Sequence, residues 1–235
     1  MSEDKVLVII PTYNEDKIIG DVIINLKKYF SKVKIVIIDG YSTDSTVKIA
    51  KQSGAETILI DNYFGIGLAI EAGIKKAKLE NFDFLIRVDG DGQHPAKDVK
   101  NLFDNAVENN IDLTIGSRFL DKSDYQPNNI RALSIKLLSK LIKIFYKVEV
   151  KDCTSGCQIF NKRLITELAQ DENFEYSEVG VICKTAKIKF SIKEYFINMQ
   201  ERKTGQSSFN FINSFKYMFK NLLALITSVS FNIKK

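Results

Sequence analysis

Two carboxylates one residue apart, Asp89 and Asp91, stand in the run Asp89-Gly90-Asp91-Gly92-Gln93-His94-Pro95. Carboxylates this close repel unless a positive charge lies between them. A hard divalent cation meets that need: Mg²⁺ takes one or two protein carboxylates and leaves its other positions to water and phosphate. The pattern points to a cation that holds a diphosphate. The plainer reading is an acidic turn facing solvent, since Asp and Gly are ordinary turn residues. The flanks favour the cation. Residues 82–88 (FDFLIRV) form a mostly apolar run of strand length, and Pro95 sits where a helix would begin. The carboxylates therefore fall at the end of a buried strand, where open α/β sheets bind ligands. Gly90 and Gly92 let the backbone turn tightly and approach a ligand.

The elements that must position this run can be read in order. Residues 5–10 (KVLVII) read as a strand buried on both faces, ending at Pro11-Thr12-Tyr13-Asn14-Glu15. A helix follows, with Ile18, Ile19, Val22, Ile23 and Leu26 on one face. Residues 34–39 are a second strand, after which Ser42, Thr43 and Asp44 open a helix with good N-cap side chains. Strands at 56–60, 82–88 and 111–115 alternate with helices at 68–79 and 96–109. Such alternation predicts a mostly parallel sheet covered on both faces. Three polar strand ends then share one edge: Thr12/Asn14/Glu15, Asp39/Ser42/Asp44 and Asp89/Asp91/Gln93. That edge suits a nucleotide. Gly65, Gly67 and Gly73 lack the spacing of a dinucleotide fingerprint and read as a turn into a helix.

After Gly116-Ser117-Arg118-Phe119 the alternation stops. A polar loop at 120–130 leads to a helix at 131–147, whose lysines 136, 140, 143 and 147 share one face. This is either a solvated lysine face over a core or an interfacial helix, with apolar groups at a membrane boundary and lysines on anionic headgroups. Residues 152–160 look like a turn entering a strand. Helices follow at 161–169 and 176–187, with Glu178 near the start of the second, and an edge strand at 188–197. A basic loop at 202–208 precedes an amphipathic helix at 209–231.

The chain has 235 residues, 45% of them apolar, enough for one large α/β domain. Three cysteines and one histidine are poor material for a closed zinc site, and the odd thiol count with no leader sequence points to a reducing compartment. No apolar run approaches the roughly 20 residues that span a bilayer. Residues 1–183 carry 24 basic and 27 acidic side chains, residues 184–235 carry 10 and 2. The basic C-terminal part suggests an anionic partner: phosphate groups, a membrane surface or nucleic acid. No nucleic-acid recognition motif is present, and nucleic acid is not expected as a partner.

Six pieces in order, PTYNE (11–15), DGYSTDST (39–46), DGDGQHP (89–95), GSRF (116–119), the TSG of DCTSG (152–156) and RKTGQSS (202–208), resemble family 2 of the inverting nucleotide-sugar glycosyltransferases. The likeness is to its dolichyl-phosphate mannose synthase-like branch and the bacterial polysaccharide relatives. The resemblance implies a GT-A fold: a Rossmann-like, mostly parallel sheet with helices on both faces, plus C-terminal amphipathic helices. It implies a catalytic domain at 1–208, with a nucleotide-sugar half at about 1–119 and an acceptor half at about 120–208, and a C-terminal helix at 209–235. Residue by residue, Pro11, Tyr13, Glu15 and Asp39 look like base and ribose contacts. Asp89, Asp91 and Gln93 look like the diphosphate and metal group, with Mg²⁺ or Mn²⁺ as the cation. Arg118, Arg131 and Arg202 look like acceptor-phosphate contacts, Arg202 in a closing loop. Asp152 and Glu178 join Asp91 as carboxylates near the reacting centre. The implied donor is GDP-mannose or a UDP-hexose, and the implied acceptor a polyprenyl phosphate or a growing glycan. The expected place is the cytoplasm, peripheral to the membrane, with a membrane-anchoring partner or a second copy. A nucleotidyltransferase would want a basic, glycine-rich loop after the first strand, where Pro-Thr-Tyr-Asn-Glu stands; a non-catalytic scaffold is the alternative of another class. Two departures are notable: Gly40 stands where many members have a second aspartate, and Tyr41 replaces a common glycine.

Overall fold

The computed structural model describes residues 3–61, 66–121, 129–171 and 177–200. A 3-10 turn at Glu3–Lys5 leads into β1 (Val6–Thr12), α1 (Ile19–Tyr29), β2 (Lys34–Asp39), α2 (Thr46–Gln52), β3 (Glu56–Leu59), α3 (Ile66–Leu79), β4 (Phe84–Arg87), α4 (Ala96–Glu108) and β5 (Leu113–Ser117). Then come α5 (Asn129–Tyr146), β6 (Gln158–Asn161), α6 (Lys162–Leu168), α7 (Glu178–Lys187) and β7 (Ile192–Phe196). The seven described strands form one sheet in the order β3-β2-β1-β4-β6-β5-β7. All its pairings are parallel except those of β6, which runs against both β4 and β5. The fold is α/β, as the alternation predicts, and β7 is an edge strand.

The core explains why β1 shows no alternation. Its residues Leu7 and Ile9 pack with α3, α5, α6 and α7 on one face of the sheet. Val6, Val8 and Ile10 pack with α1, α2 and α4 on the other. All five are fully buried, so every position of the strand must be apolar.

The reversed strand is a finding that alternation does not predict. Its direction follows from where the chain arrives. Residues 152–157 cross the carboxyl edge of β4 and β5, and β6 enters from that edge, pairing Gln158 with Arg87 and with Ile115. The crossing segment is thereby laid over the ends of the strands. Two helix starts also differ from expectation. The helix after β2 begins at Thr46 rather than at Ser42: Ser42 Oγ accepts from the Asn14 N–H, and Asp44 joins the Asp16 N–H of the loop after β1 to the Thr46 N–H that starts the helix. Pro95 is the N-cap of α4, one residue before its first turn. The C-terminal helix expected at 209–235 lies outside the described residues, as does the loop that holds Arg202. Among the described residues no helix is long and apolar enough to cross a membrane.

Candidate active site

Strand order reverses between β1 and β4, the switch point at which open α/β sheets form a crevice. The pairing of β1 with β4 ends at Ile9 and Arg87, whereas β1 continues beside β2 to Thr12 and Asp39. Pro11 lies past that last β4 pair, where its missing N–H costs the ladder nothing. The loop after β4 packs directly on this end: a methyl group on Gly90 would meet Thr12 Cγ2 at 2.9 Å and the Pro11 carbonyl oxygen at 3.3 Å.

On the β1–β2 side, buried Asp39 is the organiser. Its Oδ1 accepts from Thr12 Oγ1 (3.1 Å) and Ser42 Oγ (2.6 Å), and its Oδ2 accepts from the Ser42 N–H (2.8 Å). The two loops are then stapled together. The Asn14 N–H donates to Ser42 Oγ (2.8 Å), the Thr43 N–H donates to Asn14 Oδ1 (2.9 Å), and the Glu15 N–H donates to Thr46 Oγ1 (2.8 Å). Glu15 is half-buried and its carbonyl begins α1; Tyr13 stands in solvent, 50% exposed.

On the β4 side, Asp89 and Asp91 are half-buried at the crevice. Asp91 Oδ1 accepts from the Gln93 N–H at 3.1 Å, which closes the turn. Gln93 is joined to the segment after β7: its Nε2 donates to the Gln200 carbonyl (3.0 Å) and its own carbonyl accepts from the Gln200 N–H (2.9 Å). His94 folds back, with Nδ1 accepting from the Asp89 N–H at 3.3 Å. A cavity of about 320 Å³ opens beside Asp89, Gly92 and His94, walled on its far side by α1.

Below Asp89 lies a charge that sequence reasoning missed. Arg87, 1% exposed, donates from Nη2 to Glu178 Oε1 at 2.7 Å and reaches Asp89 Oδ1 at 3.4 Å. Glu178 is itself buried at the first position of α7. Burial alone would lift the Asp89 carboxyl; Arg87 first, then His94 and Arg118, outweigh it and hold the carboxyl below its ordinary value.

A second buried pair sits beside the first. Arg118 is 3% exposed and Asp152 is fully buried. Arg118 Nε donates to Asp152 Oδ2 (2.6 Å) and Nη2 to Oδ1 (2.5 Å), a two-pronged pair, while the Arg118 N–H also donates to Oδ2 (3.1 Å). Nη2 further reaches Thr154 Oγ1 at 3.0 Å. Glu194 on β7 braces the segment by accepting from the N–H groups of Lys151 (2.7 Å) and Asp152 (2.8 Å), and burial raises its own pKa. The segment then delivers Gly156 against Asp89, so closely that a methyl group there would lie 2.0 Å from Asp89 Oδ2. Arg131 stands half-buried in the first turn of α5. The three thiols are buried, with Cys153 and Cys183 pushed up to about 12.

The donors fit a hard cation shared with a diphosphate. Asp89 and Asp91 are partly open, stand one residue apart at the crevice, and Asp89 is held in its ionised form. Among the described residues no three His, Cys, Asp or Glu side chains gather into an all-protein cage. Mg²⁺-type ions bound mainly through phosphate and water do not need one.

The model of the glycosyl transferase family 2 matches residues 7–169, well over half of the chain. The chain belongs to glycosyl transferase family 2. This glycosyltransferase is 26% identical to the UDP-N-acetylglucosamine–dolichyl-phosphate N-acetylglucosaminyltransferase of Methanococcus voltae, over 80% of this chain and 83% of that one. It is 25% identical to the polyprenol monophosphomannose synthase of Mycolicibacterium smegmatis, over 92% of this chain and 85% of that one. Its fold matches glucosyl-3-phosphoglycerate synthase of Mycobacterium tuberculosis in complex with Mn²⁺, UDP and glucosyl-3-phosphoglycerate. The TM-score is 0.72 at 17% identity, over 96% of this chain and 80% of that one. The fold is therefore of the GT-A type.

Of the residues expected at the site of this glycosyltransferase, the structure gathers Pro11, Tyr13, Glu15, Asp39, Asp89, Asp91 and Gln93 along one edge. It brings Asp152, Arg118 and Glu178 into the buried layer beneath. Arg202 lies outside the described residues. Arg87 and Glu194 were not anticipated, and Gly156 was named only as part of the TSG motif, without its contact to Asp89. The one signal for Arg87 was a lone charge at the end of a strand that is otherwise buried.

Two outcomes follow. Gly156→Ala should push Asp89 aside and lower kcat/KM by about 100-fold, the scale of an ångström misplacement at a reacting centre. Its thermal unfolding midpoint, measured alongside, should show the fold intact. Asp89 binds its proton less readily folded than unfolded, so its stabilising contribution is whole above the ordinary value of 3.8 and is lost as pH falls below it. The acid limb of the stability curve should be shallower in Asp89→Asn, as read from urea midpoints below pH 5.

Proposed function

We propose that this glycosyltransferase moves a hexose from a nucleoside-diphosphate sugar to a polyprenyl phosphate at a membrane surface, with Asp89 and Asp91 holding a divalent cation. One observation carries the choice of acceptor. Asp152 and Glu178, the carboxylates placed to act as a general base, are both buried and spent on arginines. A sugar hydroxyl needs a base to take its proton. A phosphate oxygen is already ionised near neutral pH and needs little such help. The names of the two relatives support the same reading, since both are enzymes of polyprenyl-type lipid phosphates.

The bound cation would supply Lewis-acid neutralisation of the leaving diphosphate. Asp89, fixed by Arg87 and crowded by Gly156, orients that end of the donor. Pro11, Tyr13, Glu15 and Asp39 form the nucleoside side of the crevice. The acceptor attacks from the opposite face, which inverts the anomeric centre. Its phosphate falls to Arg131 and Arg202, since guanidinium forks match phosphate. Arg118 acts on it as a positioning residue, because its own fork grips Asp152.

The lipid side is supported by α5. Leu133, Leu137, Ile144 and Phe145 are exposed on it, and by helical spacing Leu133, Leu137 and Ile144 form a stripe beside that of Lys136, Lys140 and Lys143. Between α5 and residues 149–151 lies a mainly apolar cavity of about 400 Å³, rimmed by Lys136, Lys140, Lys143 and Lys151. Apolar floor and cationic rim are the complement of a lipid with an anionic head. The enzyme would thus work from the cytoplasmic face of the membrane, seated on α5.

The deciding assay pairs UDP- and GDP-sugars with Mg²⁺, Mn²⁺ or a chelator, with and without a short polyprenyl phosphate. Nucleoside diphosphate should be released only when metal and lipid phosphate are both present, and Asp91→Ala should abolish release while remaining folded. Turnover on a glycan but not on the lipid would return the acceptor to a sugar hydroxyl; no nucleotide binding at all would leave a scaffold. The triple variant Lys136→Gln, Lys140→Gln, Lys143→Gln should bind vesicles of anionic phospholipid about 100-fold more weakly. That follows from about 1 kcal/mol for each lysine near the surface. Unchanged co-sedimentation would remove α5 from the membrane contact.

A further inference from the structure

Six residues other than glycine have positive φ among those described. Asn81, Asn110, Lys147 and Lys189 each follow the end of a helix, of α3, α4, α5 and α7. There the left-handed residue is part of the usual helix stop. The other two, Asn14 (φ 55°) and Tyr41 (φ 58°), lie in the loops after β1 and β2, at the crevice. Asparagine tolerates this conformation, and Asn14 repays it with a hydrogen bond to Thr43. Tyrosine does not, since a bulky side chain here is a true outlier.

Among the described residues no contact explains why a tyrosine occupies this position. The Tyr41 side chain is 62% exposed, and among the described residues it makes no hydrogen bond or ring contact. The turn itself is held by its neighbours: Asp39 grips Ser42, and the Gly40 N–H donates to the Thr12 carbonyl at 3.0 Å. A glycine would make the same turn without strain. Strain kept at a crevice without structural return points to a ligand.

The neighbours indicate which part of the ligand. Tyr13, also exposed, follows Thr12, and Thr12 is in register with Asp39 on the adjacent strand. Two open aromatic side chains therefore stand at adjoining strand ends, on the nucleoside side of the crevice. Asp39, the carboxylate at the end of β2, is fully buried and already accepts three hydrogen bonds. Position 40 offers no side chain. At this strand end the exposed group is the face of an aromatic ring. We propose that Tyr41 is a donor-binding residue of this glycosyltransferase, its ring stacking on the donor's nucleobase as a platform shared with Tyr13. This rests on the crevice being a nucleotide site. Stacking accepts any base with a π face, so it predicts binding of both uridine and guanosine diphosphates.

The test sets stability against binding. Full-length wild type, Tyr41→Gly and Tyr41→Phe are titrated with UDP, GDP and inorganic pyrophosphate, each with Mn²⁺, and their thermal midpoints are measured. Tyr41→Gly should unfold about 2 °C higher, because the left-handed strain is gone. It should nevertheless bind UDP and GDP about tenfold more weakly, the low end of loss for a base-stacking aromatic. Pyrophosphate binding should be unchanged, and Tyr41→Phe should match wild type throughout. Equal nucleotide affinity in Tyr41→Gly and wild type would overturn the inference alone. So would an equal loss for pyrophosphate, which would place the ring on the diphosphate. If wild type binds pyrophosphate but neither nucleotide, the nucleotide site itself fails, and the inference with it.

Discussion

The guanidinium of Arg87 is the charge on which the crevice depends. It is buried at the end of β4 between Glu178, from a helix 91 residues further along the chain, and Asp89, at the mouth of the site. A buried charge with one partner removed costs about 3–5 kcal/mol, so these groups hold each other in place. The same contact lowers the proton affinity of Asp89, which a cation-holding carboxylate requires. Arg118 and Asp152 repeat the device one strand away. Arg87 thereby ties the end of β4 to α7, and Arg118 ties the end of β5 to the 152–157 segment.

The reversed strand makes that joining possible. Because β6 starts at the carboxyl edge, the 152–157 segment must cross the strand ends before it can pair. One short stretch therefore offers a carboxylate to Arg118, a hydroxyl from Ser155 to the Gly116 carbonyl, and a bare Cα to Asp89. A parallel strand in the same place would start at the opposite edge and leave the site open on that side. Glu194, on the outermost strand, extends the brace to the sheet's rim through two backbone N–H groups.

What could be read from sequence divides along the same physical line. Elements whose signal is local were legible. The unbroken apolar run of β1 reports burial on two faces, and the strand–turn–helix around Asp89 reports a ligand-binding edge. The order of six short motifs reported the family. Contacts that depend on distant pairing were not legible. Arg87 looks like a flaw in a strand until Glu178 is beside it, and Glu178 looks like a first-turn acid until Arg87 is beneath it. Asp152 and Arg118 could each be named as site residues, but neither name says that one occupies the other. Ser42 and Asp44 look like helix caps because cap and loop staple use the same side chains, and only the neighbouring loop decides.

Neutralising both inner carboxylates constrains the chemistry more than any motif does. With Asp152 and Glu178 engaged by arginines, the proposed acceptor is one that brings its own negative charge, and such an acceptor is gathered by cations outside the reacting centre. The chain places its cations accordingly. The described surface of α5 sets three lysines beside an apolar stripe, and the sequence from 184 onward carries ten basic side chains against two acidic ones. An apolar stripe left in water raises the free energy of the folded protein, so a partner that covers it is favoured. A lipid phosphate meets both demands in one molecule: its chain answers the stripe and its head answers the lysines. A free sugar chain answers neither, so the buried charge pairs and the exposed face of α5 support the same proposed acceptor.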